Sequence, residues 1–190
     1  MKIVVLGGGN SEERDVSLRS SRAVTDALLS AGYDVTNLDT ITFDVLDEIE
    51  PGSIVFPILH GKNGEDGTIQ SELGNRGLPY LGSDPGASRL CFSKNLTRKA
   101  LIRAGLPVAE GDKVTKSTYL KHPLAKRPHV LKTDKGGSSI GTYIVRDPGN
   151  IVGKKVDEVF KFGQGAVIEE LVEGVEITIP ILDKNALTAI

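Results

Sequence analysis

The amino-terminal part of the chain combines two hydrophobic periodicities. A continuous apolar run over residues 3–6 stops at three glycines, and apolar and small residues then recur at helical spacing as far as Ala31. This pattern predicts a strand, a glycine turn and a helix. Gly32 is predicted to end the helix at positive φ, and the alternation over residues 34–38 predicts a second strand.

Two local signals occur where this helix begins. Asn10 and Glu13 have the spacing of a capping box, so Glu13 is expected either to cap the helix or to contact a ligand. A dinucleotide-binding fingerprint would need a third glycine after Gly7 and Gly9, but Glu12 stands at that position. The glycine turn therefore does not predict a Rossmann cofactor site.

A further strand is predicted over residues 54–59, because a continuous apolar run is typical of a parallel strand covered on both faces. His60 follows at the carboxyl end of this strand, where open α/β sheets bind ligands. His60 is thus a candidate ligand contact, with a purely structural histidine as the alternative. Glu65 and Asp66 suit the first turn of a helix through Leu73, where carboxylates complement the helix dipole.

The middle of the chain contains a short strand over residues 77–83 and two helices with clear start signals. Asp84 opens the first helix, and Ser93 is predicted to cap the second, which runs from Lys94 to Ala104 and is closed by Gly105. Lys94 then lies where the helix dipole disfavours a cation. It is expected either to meet a bound phosphate or to be an ordinary solvated lysine.

Beyond Val108 the pattern changes to strands around a glycine-rich loop, which predicts an α+β unit. Apolar runs over residues 128–131 and 143–145 predict a hairpin whose connection is this loop, residues 132–142. Further elements are predicted as a helix over residues 150–162 and strands over residues 166–172, 175–182 and 186–190.

Two segments of this unit carry groups that suit a nucleotide. The glycines of the loop let backbone N–H groups converge on an anion, and Lys132 and Lys135 add donors of the right charge. The alternative is a mobile hairpin tip with incidental lysines. Glu169 and Glu170 precede an apolar pair that suits a purine, although they are equally consistent with solvated strand-end residues.

Composition narrows the class of partner. The chain has 190 residues, a net charge of -2, 25% charged and 39% hydrophobic residues, as in soluble globular proteins. No extended cationic stripe indicates nucleic-acid binding, and no apolar run approaches the ~20 residues that span a bilayer. The single cysteine, Cys91, excludes an internal disulfide, and residues 1–6 are too short for a signal-peptide core. We therefore expect a cytoplasmic protein with a small anionic ligand and no nucleic-acid or membrane partner.

The chain also contains five separated motifs, at residues 7–17, 60–70, 78–83, 137–141 and 169–176. In this order they resemble the motifs of the D-alanine–D-alanine ligases of the ATP-grasp superfamily, over essentially the whole chain. The resemblance implies an α/β fold. Residues 1–88 would form a parallel-sheet α/β domain (pre-ATP-grasp), residues 89–174 a small α+β ATP-grasp subdomain, and residues 175–190 the start of a truncated C-terminal ATP-grasp part.

The resemblance also implies roles for individual residues. Glu13 would hold the ammonium group of the first D-alanine, and Ser138 would join it in a network that orients the substrate and moves protons. His60 resembles the histidine beside the substrate carboxyl group. The two lysines on the ATP phosphates, the covering loop, the adenine segment and the ribose carboxylate would be supplied by Lys94, Lys132, Lys135, Gly137, Ser138, Ser139, Gly141, Glu169, Glu170, Leu171, Val172 and Glu176.

The implied reaction begins with phosphoryl transfer from ATP to the carboxylate of one D-alanine. The amine of a second D-alanine then attacks the acyl phosphate and gives D-alanyl-D-alanine for peptidoglycan precursors. Family members use Mg²⁺ and carry its ligands in a further carboxyl-terminal part, so we expect no metal ligand here. We expect the chain to be the amino-terminal part of a ligase, inactive alone, and homodimers are common in the resembled family.

The sequence departs from the family pattern at a few positions. Proline, an acidic residue, aspartate and arginine are usual where this chain has Thr133, Gly136, Ser93 and Val175. Two alternative functions stay open at this point. One is a relative that joins D-alanine to D-lactate or D-serine, and the other is a nucleotide-binding module without catalysis.

Overall fold

The computed structural model describes residues 2–137, 140–161, 163 and 165–190. Its strands are β1 (Lys2–Gly7), β2 (Asp34–Asp39), β3 (Ile54–Pro57), β4 (Gly111–Val114), β5 (His129–Thr133), β6 (Thr142–Val145), β7 (Ala166–Glu170), β8 (Ile181–Leu182) and β9 (Asn185–Ala186). Its α-helices are α1 (Arg14–Ser30), α2 (Thr68–Asn75), α3 (Pro85–Phe92), α4 (Lys94–Arg103), α5 (Lys116–Tyr119) and α6 (Gly153–Lys161). Short 3-10 helices occupy Phe43–Glu48, Pro123–Lys126 and Pro148–Asn150.

The amino-terminal unit is built on a parallel sheet with the strand order β2-β1-β3. Ile3 of β1 pairs with Val35 of β2 and with Ile54 of β3. The apolar residues of β1 are buried on both faces of the sheet, as predicted for a continuous apolar run in a parallel sheet. Ile69 and Leu73 of α2 pack into the same core. The α/β prediction for this half of the chain is confirmed.

The second unit is an antiparallel sheet with the strand order β4-β7-β5-β6. β5 and β6 form the predicted hairpin, in which Leu131 pairs with Tyr143. Val156 and Val159 of α6 pack with Tyr143 on one face of this sheet, since these residues belong to one buried cluster. A helix packed on one face of an antiparallel sheet is an α+β arrangement, so this prediction is also confirmed.

Helix caps follow the local signals closely. The Asp84 carboxylate accepts hydrogen bonds from the backbone N–H groups of Gly86 and Ala87 at the start of α3. Ser93 caps α4 by accepting one from Leu96 N at 3.2 Å. Gly32 follows the end of α1 with a φ of +85°. These ends were predictable because cap chemistry depends on a few neighbouring residues.

The predicted capping box at the start of α1 is wrong. The helix begins at Arg14, and its N-cap residue Glu13 makes no side-chain cap hydrogen bond. Asn10 instead accepts a hydrogen bond from the Asn63 side chain at 3.1 Å. The Glu13 backbone N–H donates to Ser11 Oγ at 3.2 Å, so the Ser11 hydroxyl, rather than the Glu13 side chain, bonds the backbone of this turn.

Glu65 and Asp66 do not form the first turn of α2, because that helix starts at Thr68. The Asp66 carboxylate accepts hydrogen bonds from the backbone N–H groups of Asn63 and Thr68, both at 3.0 Å. Glu65 accepts one from Gly61 N at 2.8 Å. Burial would raise the pKa of the Asp66 carboxyl, but the hydrogen bonds from Thr68 and Asn63 hold it below its usual value. Both acids brace the turn that precedes the helix.

Several predicted elements are shorter in the structure. The strand expected over residues 77–83 is reduced to one bridge between Tyr80 and Val55. Residues 175–180 form no strand, although Thr178 and Ile190 exchange backbone hydrogen bonds at 2.9 and 3.0 Å. Pro180 supplies no backbone donor, which limits the pairing. The helix expected over residues 150–162 begins only at Gly153, and residue 162 lies outside the described residues.

Two other strands also end earlier than predicted. The strand predicted over residues 54–59 ends at Pro57, and the one predicted over residues 166–172 ends at Glu170. No helix in the described part of the chain is both long and apolar enough to cross a membrane.

A buried Tyr119–His129 pair links α5 to β5. His129 Nδ1 lies 2.7 Å from the Arg127 carbonyl oxygen, which can only accept, so Nδ1 carries the proton. The other nitrogen, Nε2, therefore accepts from the Tyr119 hydroxyl at 2.7 Å. Burial lowers the pKa of His129, with a smaller contribution from His122, and burial raises the pKa of Tyr119 to about 12. The folded state thus holds His129 neutral.

Because burial lowers the pKa of His129, we expect the protein to be less stable towards unfolding in mild acid. Because the pKa of His129 is lower in the folded state, the unfolded state binds the proton first as the pH falls below about 6.5. We expect the free energy of unfolding to fall between pH 7 and pH 5, with a slope of at most about 1.4 kcal/mol per pH unit. Urea denaturation at several pH values measures this slope. A His129→Gln variant should show a flatter profile, and an equal slope in both proteins would contradict the assignment.

Candidate functional site

Three segments that are distant in sequence meet at the carboxyl ends of β1 and β3. A Cβ atom placed on Gly61 would lie 2.9 Å from Glu13 Oε2, and one placed on Gly137 would lie 3.8 Å from the same oxygen. The Glu13 carboxylate is therefore within contact distance of the turn that follows His60 and of the glycine-rich loop. Open parallel sheets bind ligands at this edge.

A cavity of about 520 Å³ lies where these segments meet. Glu13 and Gly61 line it from the amino-terminal unit, and Lys135, Gly136 and Gly137 line it from the glycine-rich loop. A side chain at position 61 would crowd the Glu13 carboxylate, whereas a Cβ atom at position 137 would only touch it. The cavity thus joins a carboxylate to the loop predicted to bind phosphate.

His60 lines an adjoining cavity of about 640 Å³, together with Lys94 and Gly136. Phe92 and Gly136 line both cavities. Glu13 and His60 accordingly face neighbouring spaces rather than the same one. The His60 carbonyl accepts a hydrogen bond from Ser11 Oγ at 2.7 Å, and His60 Nδ1 lies 3.8 Å from Glu65 Oε1.

The two lysines predicted to bind phosphate lie near each other, Lys94 at the start of α4 and Lys132 on β5. Lys94 Nζ, at the start of α4, donates a hydrogen bond to the Gly136 carbonyl oxygen at 2.7 Å. Lys132, on β5, forms an ion pair with Glu169 of β7. Burial lowers the pKa of Lys94, and the nearby Lys132 charge lowers it further, while Asp134 and Glu169 oppose this shift. The two ammonium groups are thus near enough for their charges to interact, and the Glu169 and Asp134 carboxylates offset part of that charge.

Asp134 connects α4 to the end of β5. Its carboxylate accepts hydrogen bonds from Ser93 Oγ at 2.8 Å and Asn95 N at 3.0 Å, and from Lys113 Nζ at 3.0 Å. Its backbone carbonyl accepts one from Lys94 N at 2.9 Å. Burial would raise the pKa of the Asp134 carboxyl, but the donors from Asn95, Lys113 and Ser93 hold it below its usual value. The carboxylate is therefore charged and complements the amino-terminal end of α4.

The residues predicted to contact adenine and ribose lie at the end of β7 and just beyond it. Glu170 Oε1 accepts a hydrogen bond from Glu110 N at 2.9 Å, so its side chain holds the edge of the sheet. Leu171 N donates to the Pro128 carbonyl oxygen at 3.3 Å. Val172 and Glu176 are exposed and follow the end of β7. The segment therefore follows directly after Glu169, which pairs with Lys132, and leaves the Val172 side chain exposed.

The glycine-rich loop is only partly described. Gly141 has a φ of +68°, and its carbonyl oxygen accepts a hydrogen bond from Thr133 N at 2.9 Å, which closes the base of the loop. Lys135 forms a single bridge with Ser93. Ser138 and Ser139, both predicted to contact ligands, lie outside the described residues.

Sequence reasoning missed some residues that build this site. Gly61 was part of a recognised motif but carried no role of its own, and Phe92 and Asp134 had no distinguishing signal. Ser93 is predicted to cap a helix and stands where the family usually has aspartate, but neither signal indicates that its hydroxyl donates to Asp134. Within the described ranges there is no group of three or more His, Cys, Asp and Glu side chains that could hold a metal ion.

Comparisons with known proteins identify relatives over the whole chain. A family model described as the D-ala D-ala ligase N-terminus matches residues 36–83, and one described as the D-ala D-ala ligase C-terminus matches residues 101–190. A D-alanine–D-alanine ligase of Xanthobacter autotrophicus is 39% identical over 191 residues, which is 99% of this chain and 62% of the relative. One from Actinobacillus succinogenes is 40% identical over 196 residues, covering 100% of this chain and 64% of the relative.

A solved structure shows the same architecture. The D-alanine–D-alanine ligase of Bacillus anthracis complexed with ATP superposes with a TM-score of 0.87 and 30% sequence identity. The superposition covers 100% of this chain and 65% of that chain. The chain therefore spans less than two thirds of the length of these relatives.

Proposed function

This chain belongs to the D-alanine–D-alanine ligase family, and from this premise we propose that it binds ATP and D-alanine for the synthesis of D-alanyl-D-alanine, a peptidoglycan precursor. The placement of Glu13 beside the glycine-rich loop is the observation that carries the proposal, because an ammonium-binding carboxylate and a phosphate-binding loop then share one cavity. We also propose the division into units 1–88, 89–174 and 175–190, a cytoplasmic location and a homodimeric assembly.

The first D-alanine would lie between the amino-terminal unit and the loop. Glu13 would offer its carboxylate to the ammonium group, and His60, which lines the adjoining cavity with Lys94, would lie beside the substrate carboxylate. Ser138, in our proposal, completes the network that orients the substrate. Positioning of this kind raises the rate because it fixes the reacting oxygen opposite the phosphorus atom.

ATP would lie along the second unit. Lys94 and Lys132 are proposed to hold its phosphates, with Lys135, Gly137, Ser138, Ser139 and Gly141 covering them. The Glu169–Val172 segment would receive adenine, with Glu170 contributing backbone groups because its carboxylate is already bonded to Glu110 N. Glu176 is the proposed ribose contact.

The chemistry has two steps. A D-alanine carboxylate oxygen attacks the γ-phosphorus of ATP, the bond to ADP breaks, and an acyl phosphate forms. The amine of the second D-alanine then attacks the acyl carbon, phosphate leaves, and the amine loses a proton. The lysines stabilise charge on the transferred phosphoryl group, and a loop that excludes water protects the acyl phosphate from hydrolysis.

Mg²⁺ neutralises nucleotide phosphates in phosphoryl-transfer enzymes. The described residues offer no cluster of acidic, His or Cys side chains for such an ion, so we assign it no ligand and no step here.

The proposal is tested by titrating the 190-residue chain with ATP and with D-alanine, in the presence of Mg²⁺, in a calorimeter. We expect ATP to bind, and we expect D-alanine to bind more weakly when Glu13 is replaced by Gln. A folded chain that binds neither compound would overturn the proposal. Phosphate release measured with ATP, Mg²⁺ and D-alanine is a second readout, and we expect none from this chain alone. ATP binding that D-alanine never affects would favour a nucleotide-binding module.

A further inference from the structure

The Asp134 carboxylate lies near the proposed phosphate site and accepts hydrogen bonds from three residues, and the proposed function gives it no role. It is only 6% exposed, although it follows a strand that ends at the surface loop. Its two oxygens join two elements to the end of β5, since the partners Ser93 and Asn95 belong to the start of α4 and Lys113 lies on β4. The carbonyl of the same residue accepts from Lys94 N.

These contacts constrain both ends of Lys94. Its backbone is held by the Asp134 carbonyl oxygen, and its ammonium group donates to the Gly136 carbonyl oxygen two residues further along the same loop. The position of Lys94 therefore depends on the backbone of residues 134–136. This backbone is separated from Lys132 only by Thr133. The distance between the two lysines depends on this connection.

The charged partner of the Asp134 carboxylate is Lys113, whose ammonium group lies 3.0 Å from it. A Cβ atom placed on Gly165 would lie 2.5 Å from Lys113 Cε, so the Lys113 side chain passes close over the Gly165 backbone on its way to Asp134. The backbone of Asp134 also donates from its N–H to the Gly165 carbonyl oxygen at 3.3 Å. Lys113 is half exposed, so its ion pair is the weakest of these contacts, and the hydrogen bonds to α4 do most to hold the carboxylate.

We propose that Asp134 is a positioning residue, which joins Ser93 and the amino-terminal end of α4 to the glycine-rich loop so that Lys94 and Lys132 meet the same polyphosphate. The inference rests on the proposed function, since it concerns ATP binding at these lysines. The Asp134 negative charge also offsets the unfavourable placement of Lys94 at the start of a helix. A bound phosphate is thus not the only group that stabilises this lysine.

The test exchanges the two partners of one hydrogen bond. Asp134→Ser removes the carboxylate from the helix end, whereas Ser93→Asp combined with Asp134→Ser restores a carboxylate–hydroxyl pair with the roles reversed. Dissociation constants for ATP and for AMP are measured by calorimetry for each protein. We expect Asp134→Ser to weaken ATP binding about tenfold while AMP binding changes less than about twofold, and the exchanged pair to recover most of the ATP affinity.

The ratio of the ATP to the AMP constant separates positioning from general weakening. Asp112→Ala is the matched control, because Asp112 is an exposed carboxylate next to Lys113 that pairs with His122, and it should leave the ratio unchanged. Equal losses for ATP and AMP in Asp134→Ser, or no recovery in the exchanged pair, would refute the inference alone. Failure of the unaltered chain to bind ATP would refute the proposed function and this inference with it.

Discussion

Lys132→Met is expected to weaken ATP binding by about 100-fold, which corresponds to about 2.8 kcal/mol. Lys132 lies on β5, next to Lys94 and paired with Glu169, so it contributes one of the two charges proposed to hold the phosphates. Methionine keeps the length of the side chain and its apolar stem but removes the ammonium group. Calorimetric titration with ATP measures the loss.

The same substitution should also destabilise the fold. The Glu169 carboxylate is largely buried, and the substitution removes the cation that pairs with it. We expect the free energy of unfolding to fall by about 1–3 kcal/mol. Lys132→Met combined with Glu169→Gln is the control, since it removes the unpaired charge and should recover stability without recovering ATP binding. Recovery of both properties would show that Lys132 acts only through the ion pair.

Gly67→Ala is expected to lower the free energy of unfolding by about 3 kcal/mol. Gly67 is the N-cap residue of α2 and has a φ of +88°, a conformation that alanine adopts at a cost. A Cβ atom at this position would also lie 2.4 Å from the Pro85 carbonyl oxygen, which belongs to the backbone of α3 and cannot move alone. The substitution therefore pushes α2 and α3 apart.

Gly77→Ala separates these two effects. Gly77 follows the other end of α2, has a φ of +66°, and a Cβ atom there meets nothing within 4 Å. It should cost only the backbone strain, about 1–2 kcal/mol, and the difference between the two variants in urea denaturation measures the close approach to Pro85. Equal losses in both variants would show that the contact with α3 contributes nothing.

The site was only partly predictable. The resemblance named Glu13, Lys94 and Lys132, and the structure places Glu13 beside the glycine-rich loop and the two lysines near each other. Nothing in the sequence distinguished Asp134, because an aspartate after a strand is ordinarily a turn residue. Its contacts come from Ser93 and Lys113, which belong to other elements and reach it only after the unit has folded.

Elements whose signals are local could be predicted from the residues alone. The periodicity of residues 3–31 specified a strand and a helix, Asp84 and Ser93 specified helix starts, and the two apolar runs around the glycines specified a hairpin. Tertiary structure alone decided where strands end and which side chains meet. Strand ends depend on a partner, as Tyr80 and residues 175–180 show, and the approach of Glu13 to Gly137 depends on how two separately packed units are placed. Local propensity carries no information about such contacts, since they join residues that are far apart in the chain.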